Sequence, residues 1–190
     1  ALRLHRPAGA PHRGRRLRLY HREDLALSQI LPVLEGLGVD VVDQMPYTLT
    51  STDGSTIHIA DFGLELRWGH LWPSSEQDFS ARFEDAFHAV WRGAAENDGF
   101  NALVLLAGLT WQQVVVLRAA VAYLRQTGAV FSREYIVTTL RVNPGVARLL
   151  VDLFEARFDP DRAKDVPEGR TEESVAAHIS AALDDVANLD

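Results

Sequence analysis

The chain has 190 residues, 47% of them hydrophobic and 24% charged, with a formal net charge of -7, a size and balance that suit one or two compact domains and exclude a disordered segment. It contains no Cys, which removes disulfides, thiolate metal sites and cysteine nucleophiles together and fits a reducing, cytoplasmic setting. No apolar run is long enough to cross a bilayer and the Arg-rich opening lacks a secretory apolar stretch, so neither a membrane span nor a signal peptide is expected.

The first sixteen residues hold five Arg and no acid, with Pro7, Gly9, Pro11 and Gly14 interspersed, and read as a solvated, flexible basic arm over 1–16. The chain opens on Ala rather than Met, which suggests a piece of a longer product. LRLYHRE from Leu17 alternates apolar and polar side chains and predicts a short strand. Asp24 to Gly38 predicts a helix capped by Ser28, with Pro32 in its first turn and Gly38 ending it. VDVVDQMPYTLT from Val39 reads as a strand in which Pro46 argues for a bend or an edge position, and Asp53-Gly54 as the turn behind it. Ile57 and Ile59 then share one parity while Phe62, Leu64 and Leu66 share the other, and a β-bulge at Ala60-Asp61 would keep both sets on one core. Pro73-Ser74-Ser75 opens a helix expected to run to Asn97, in which Phe79, Phe83, Phe87, Val90, Trp91 and Ala94 form a core stripe rather than an aromatic binding site.

From Asp98 onward helix signals dominate. Thr110-Trp111-Gln112-Gln113 fits a capping box for a helix that Gly128 stops. Ser132 caps a following helix to about Leu140, and Asn143-Pro144 starts another that Asp159-Pro160 ends. An acidic, Pro- and Gly-containing stretch leads to a last amphipathic helix marked by Val175, Ile179, Leu183 and Val186. The expected organisation is a basic arm (1–16), an α+β module (17–97), a helical unit (98–160), then an acidic linker and terminal helix (161–190). The two central units can share one core.

Site chemistry is sparse. The seven His form neither an H-E-x-x-H pair nor a Cys/His cluster, so no metal site is expected. His58 and Asp61 point to opposite faces of a strand unless a bulge intervenes. No G-x-G-x-x-G follows a strand, no G-x-x-x-x-G-K-[ST] occurs, and no G-x-S-x-G elbow offers a nucleophile. The one lysine, Lys164, lies in the linker-like DRAKDVPEGR, which leaves imine chemistry without a buried candidate. FSREYIVTTLRVNPGVARLL has the look of a helix-turn-helix, but its second helix offers only Asn143 and Arg148 before it turns apolar, and the acidic body repels a phosphate backbone. No nucleic-acid partner is expected.

The runs PVLEGLGVDVVDQMPYTL, D-F-G-L at Asp61 to Leu64, FEDAFHAVWRG, ENDGFNALVLLAGLTWQQVVVLRAAVAYLRQTG and NPGVARLLVDLFEARFDP resemble, in collinear order from about Leu17 to Asp161, the large bacterial NAD-specific glutamate dehydrogenases. The resemblance implies an α+β, ACT-like βαββα unit followed by the all-α helical motifs upstream of the catalytic core. ACT-type modules are normally βαββαβ, and here NALVLLAGL either supplies the fourth strand or begins the helical unit. It also implies a parent enzyme that uses NAD to convert L-glutamate to 2-oxoglutarate, ammonium and NADH, with the rest of that chain and its homo-oligomer as partners. None of the family's catalytic lysines or nicotinamide-binding glycines has a counterpart here, so the segment is expected to hold no cofactor of its own and to serve regulation or assembly. A free-standing amino-acid-sensing ACT-type module is the alternative. Because ACT-type modules use the stretch between first strand and first helix for ligand or subunit contacts, His21, Arg22, Glu23 and Asp24 are the candidate site residues, with an amino-acid effector as ligand. A helix N-terminus there would favour a carboxylate; a solvated loop whose acids complement the helix dipole is the competing reading.

Overall fold

In the computed structural model, which describes residues 1–7, 14–22, 25–69, 72, 76–160 and 171–186, period-two apolar patterning builds β1 (Leu2–His5), β2 (Arg15–His21), β3 (Val39–Thr50) and β4 (Thr56–Leu66). They form one antiparallel sheet in the order β1-β2-β4-β3. Leu2, Leu4, Leu17, Leu19, Ala60, Phe62 and Leu64 are buried on one face, in a common core with α1 (Leu27–Gly36) and α2 (Glu76–Trp91), because successive strand side chains alternate between faces. The other face carries Arg16, Arg18, Asp43, Asp61, Met45, Tyr47, Leu49 and Ile57; the last four are substantially exposed.

The fourth strand exists, and it comes from the start of the chain. β1 pairs with β2, Leu4 opposite Leu17, while Leu103–Leu106 of NALVLLAGL is a helical turn, α3. This corrects the expected solvated arm: Leu2 and Leu4 turn inward while Arg3 stays in water, a two-leucine alternation outweighed in the sequence by the arginines around it. The part of that arm at 8–13 lies outside the described residues. The expected bulge at Ala60-Asp61 is also corrected, since β4 keeps unbroken register with β2 from Leu64 to His58. The irregularity sits on β3 between Val41 and Asp43. Ile57 and Ile59 therefore share the open face, and the change of parity marks a strand with apolar side chains on both sides.

α1 begins at Leu27 behind Ala26, which makes no side-chain cap bond. Ser28 lies inside the first turn rather than at the cap, and Pro32 is the sixth helical residue, at the cost of one backbone bond. Gly38 has φ +82, and an added Cβ would stand 2.9 Å from the Cβ of Ala102, so the end of α1 can meet the helical unit only through glycine. α2 buries Phe79, Phe83 and Phe87 as expected but stops at Trp91, well before Asn97. Gly93 takes φ +71, with Ala94 N–H donating to the Ala89 carbonyl and Gly93 N–H to that of Val90, the pairing of a Schellman stop.

A 3-10 turn over Gly99–Ala102 and α3 lead into α4 (Trp111–Gln126), α5 (Arg133–Val142), α6 (Pro144–Phe158) and α7 (Glu172–Asp184). The Thr110/Gln113 capping box forms as predicted, as does the Ser132 cap. Asn143 precedes Pro144 at the start of α6, but its side chain donates back to the Thr139 carbonyl at 2.9 Å. One apolar cluster runs from Leu2 through the sheet to Val114, Val137 and Val151, so both units share a core. Polar groups pin the joint. Asp98 accepts from Phe100 N–H at 3.0 Å and from Arg118 Nε at 2.8 Å, and it also pairs with Arg133. Arg118 is only 7% exposed, and both guanidiniums lie over the Phe100 ring. Among the described residues no helix is long and apolar enough to cross a membrane.

Candidate functional site

β2 ends where α1 is about to begin, and at that corner a cleft of about 290 Å³ opens between the sheet and the C-terminal end of α2. Leu19, Tyr20, His21 and Arg22 line it from the strand end, Leu25 from the approach to α1, and Phe87, His88 and Trp91 from α2. The aromatic wall is ordered: Phe87 and Trp91 stack with centroids 5.8 Å apart and planes 11° from parallel, and His88 meets Phe87 edge-on. His21 stacks on His58 across the β2–β4 pair at 5.5 Å.

The structure thus brings two of the four candidates, His21 and Arg22, to one cleft; Glu23 and Asp24 lie outside the described residues. Arg22 is exposed, its charge at the mouth, while Leu19 and Phe87 form a buried floor. No acid occupies the first turn of α1, and Ala26 at its N-cap makes no side-chain bond. A cationic mouth and an apolar aromatic wall together suit a small zwitterion, with its carboxylate toward Arg22 and its apolar body toward Phe87 and Trp91. Sequence reasoning missed Tyr20, Leu25, Phe87, His88 and Trp91 as lining residues, because Phe87 and Trp91 belong to the core stripe. The available signal was Gly93: a helix stopping there leaves Trp91 in its last turn, half out of the core.

A second constellation lies on the open face of the sheet. Asp61, 3% exposed, accepts from Arg16 Nε at 2.6 Å and Arg18 Nε at 2.9 Å, and Arg16 reaches on to Asp43 at 2.8 Å. Burial alone would push the Asp61 carboxyl up, but the hydrogen bonds and charges of Arg16 and Arg18 together outweigh it and hold the pKa below the usual carboxylate value. Gly63 makes the network possible, since a Cβ there would come within 2.5 Å of an Asp43 carboxylate oxygen. Asp and Gly of D-F-G-L thus have one physical reason. His58 faces away from Asp61, on the side of His21. Every carboxylate oxygen of Asp61 is committed, and the network reads as a brace across three strands.

Among the described residues no three His, Asp or Glu side chains converge as a metal site. Comparison with known proteins adds the context. Residues 1–77 match the glutamate dehydrogenase ACT3 domain and residues 95–160 match glutamate dehydrogenase helical motif 3. The NAD-specific glutamate dehydrogenase of Mycobacterium tuberculosis is 42% identical over 172 residues, covering 87% of this chain and 10% of that protein. The enzyme of the same description from Halomonas elongata is 40% identical over 190 residues, all of this chain and 11% of its own length. That of Pseudomonas aeruginosa is 41% identical over 142 residues, 74% of this chain and 9% of the relative. The chain therefore spans about a tenth of the length of these relatives.

Proposed function

Given that the chain belongs to the NAD-specific glutamate dehydrogenase family, through an ACT3 domain and helical motif 3, we propose that it is a non-catalytic regulatory and assembly region of such an enzyme. The parent would oxidise L-glutamate with NAD and water to 2-oxoglutarate, ammonium and NADH, in the cytoplasm and as a homo-oligomer, with the dinucleotide held outside this region. In this reading the ACT-like module extends to about Asn97, the helical unit from Asp98 to about Pro160, and the acidic stretch links to the terminal helix. The cleft at the β2–α1 corner is the effector site, and the observation that carries the reading is the meeting of Arg22 and His21 with the Phe87/Trp91 wall.

Thermal melting of the chain across the common amino acids tests it. One or more should raise the melting temperature saturably, as any ligand specific for the folded state does. Arg22→Ala should abolish the rise and leave the unliganded melting temperature unchanged. Trp91→Ala should weaken it. A screen in which no amino acid shifts the transition removes the effector role and leaves assembly as the function of the corner. Saturable enhancement of NADH fluorescence by this chain at micromolar concentration would overturn the non-catalytic assignment.

A further inference from the structure

The outer half of the β3–β4 hairpin is exposed on both sides from Gln44 to Thr50 of β3, yet its two sides differ in kind. Gln44, Pro46, Thr48 and Thr50, with Thr56 and His58 opposite them, point to the side on which α1 and α2 lie; Met45, Tyr47, Leu49, Ile57 and Ile59 point to the open face. A hairpin that met only water would need apolar residues on neither side. Here the apolar set alternates strictly and lies away from the chain's own core, which is the pattern of a strand whose second face is also buried. Tyr47 stands opposite Ile59 and Leu49 opposite Ile57, and these pairs support the hairpin by cross-strand contact. Even so, Met45 is 47% exposed and Ile57 42%, and Tyr47 and Leu49 about half.

The edges of the sheet are blunted, whereas this face is not. Ser51 N–H donates to the Ser55 carbonyl at 2.8 Å. Bonded and non-bonded pairs alternate from there, so Leu49–Ile57, Tyr47–Ile59 and Met45–Asp61 are the bonded ones, and the nitrogen of Pro46, which carries no hydrogen, turns to the free edge of β3. At the other edge β1 is only four residues long, and Glu84 Oε1 accepts the N–H of Leu4 at 2.8 Å. Proline and short, capped strands keep sheet edges from pairing, but no charge interrupts the five apolar residues of the face. The remainder of the face carries both signs, Arg3, Arg16 and Arg18 with Asp43, Asp61 and Glu65. Such a surface neither repels a copy of itself nor selects a partner of one sign.

We propose that two copies of this chain pack face to face through this patch about a two-fold axis, the Met45, Tyr47, Leu49 and Ile57 side chains of one protomer set on the same side chains of its partner, as the inner faces of two packed sheets are. Four half-exposed side chains of this size present roughly 400 Å² of apolar surface. A stable interface buries about 800 Å² per partner, a little over half of it apolar, so the patch supplies most of the apolar share and the charged remainder of the face supplies the rim. The contact gives the assembly half of the proposed function a surface; it rests on that reading and is independent of the effector cleft.

Interfaces of this size hold with dissociation constants from micromolar downward, so sedimentation equilibrium of the 190-residue chain over about 1–100 µM should show a mass approaching twice that of the monomer. Tyr47→Lys/Leu49→Lys puts two charges at exposed positions of an edge strand, where Lys is tolerated, and should weaken the association at least about tenfold. Should that variant fail to fold, Tyr47→Thr/Leu49→Thr keeps strand propensity and should still weaken it measurably. Phe131→Ser, on the helical unit, should leave it unchanged. A chain that stays monomeric throughout the range overturns the proposal and shows that something other than its own copy covers the face. A dimer that survives replacement of Tyr47 and Leu49, or that Phe131→Ser weakens as much, also overturns it, while leaving assembly through another surface. In either case a melting response to an amino acid keeps the effector cleft standing.

Discussion

The sheet unit and the helical unit share one core yet finish it differently. Beneath the sheet Phe62, Phe79, Phe83 and Phe87 are each no more than 1% exposed, and apolar side chains left in water, Tyr47 at 49% and Leu49 at 56% among them, stand on its open face. In the helical unit Tyr123, Val130, Phe131, Val142 and Phe158 are all more than half exposed, with Val130 at 90%. Two of these pair with a neighbouring ring on the surface, Phe131 stacking on Tyr135 and Phe158 tilting against Phe154. A two-layer module covers one face of its sheet with the helices it carries and leaves the other open, whereas the helices packed at one end of that core leave apolar side chains spread over their outer surfaces.

Substitutions can break or sharpen this contrast. Phe83→Ala removes a ring with no exposure from the heart of the sheet unit and should destabilise by about 3–5 kcal/mol in urea unfolding, the usual result for a buried aromatic. A loss under about 1 kcal/mol would show the α2 stripe to be loosely packed. Asp98→Ala comes next, at about 2–4 kcal/mol, because it strips the nearly buried Arg118 of its principal carboxylate. If Asp98→Ala costs less than Asp61→Asn, the joint between the units is not the tighter of the two polar clusters.

Asp61→Asn should cost about 1–3 kcal/mol at pH 7, less than the joint because Arg18 and Asp43 remain hydrated. The pH dependence has a definite sign. The folded pKa of Asp61 is depressed, so its contribution is complete above the unfolded value of about 3.9 and disappears as pH falls through the lower folded value. The gap between parent and Asp61→Asn, followed by denaturant midpoint, should therefore narrow only below about pH 4. The smallest effect belongs to the exposed ring of the helical unit: Phe131→Ser should change stability by less than about 0.5 kcal/mol. A large loss there would mean that the ring is part of the core.

The amphipathic patterns and end signals determined most of the elements by themselves. The strands from Leu17, Val39 and Thr56, the Phe stripe of α2, the Thr110/Gln113 box, the Ser132 cap and the Pro144 start follow from local propensity and backbone hydrogen-bonding needs, which neighbouring residues settle. The collinear runs, D-F-G-L among them, carried the family, and the strand-to-helix corner pointed to His21 and Arg22, which line the cleft proposed as the effector site. What only tertiary structure decided was anything requiring distant segments to meet. Leu2–His5 becomes a strand because β2 offers a vacant edge, not because four residues favour extension, and Ile57 and Ile59 take the open face because pairing with β2 holds β4 in a single register. Phe87 and Trp91 belong to one helical pattern, but the corner of β2 and the stop at Gly93 make one a floor and the other a rim. A side chain's face is a local property of its element; what it faces depends on which other elements the chain has brought there.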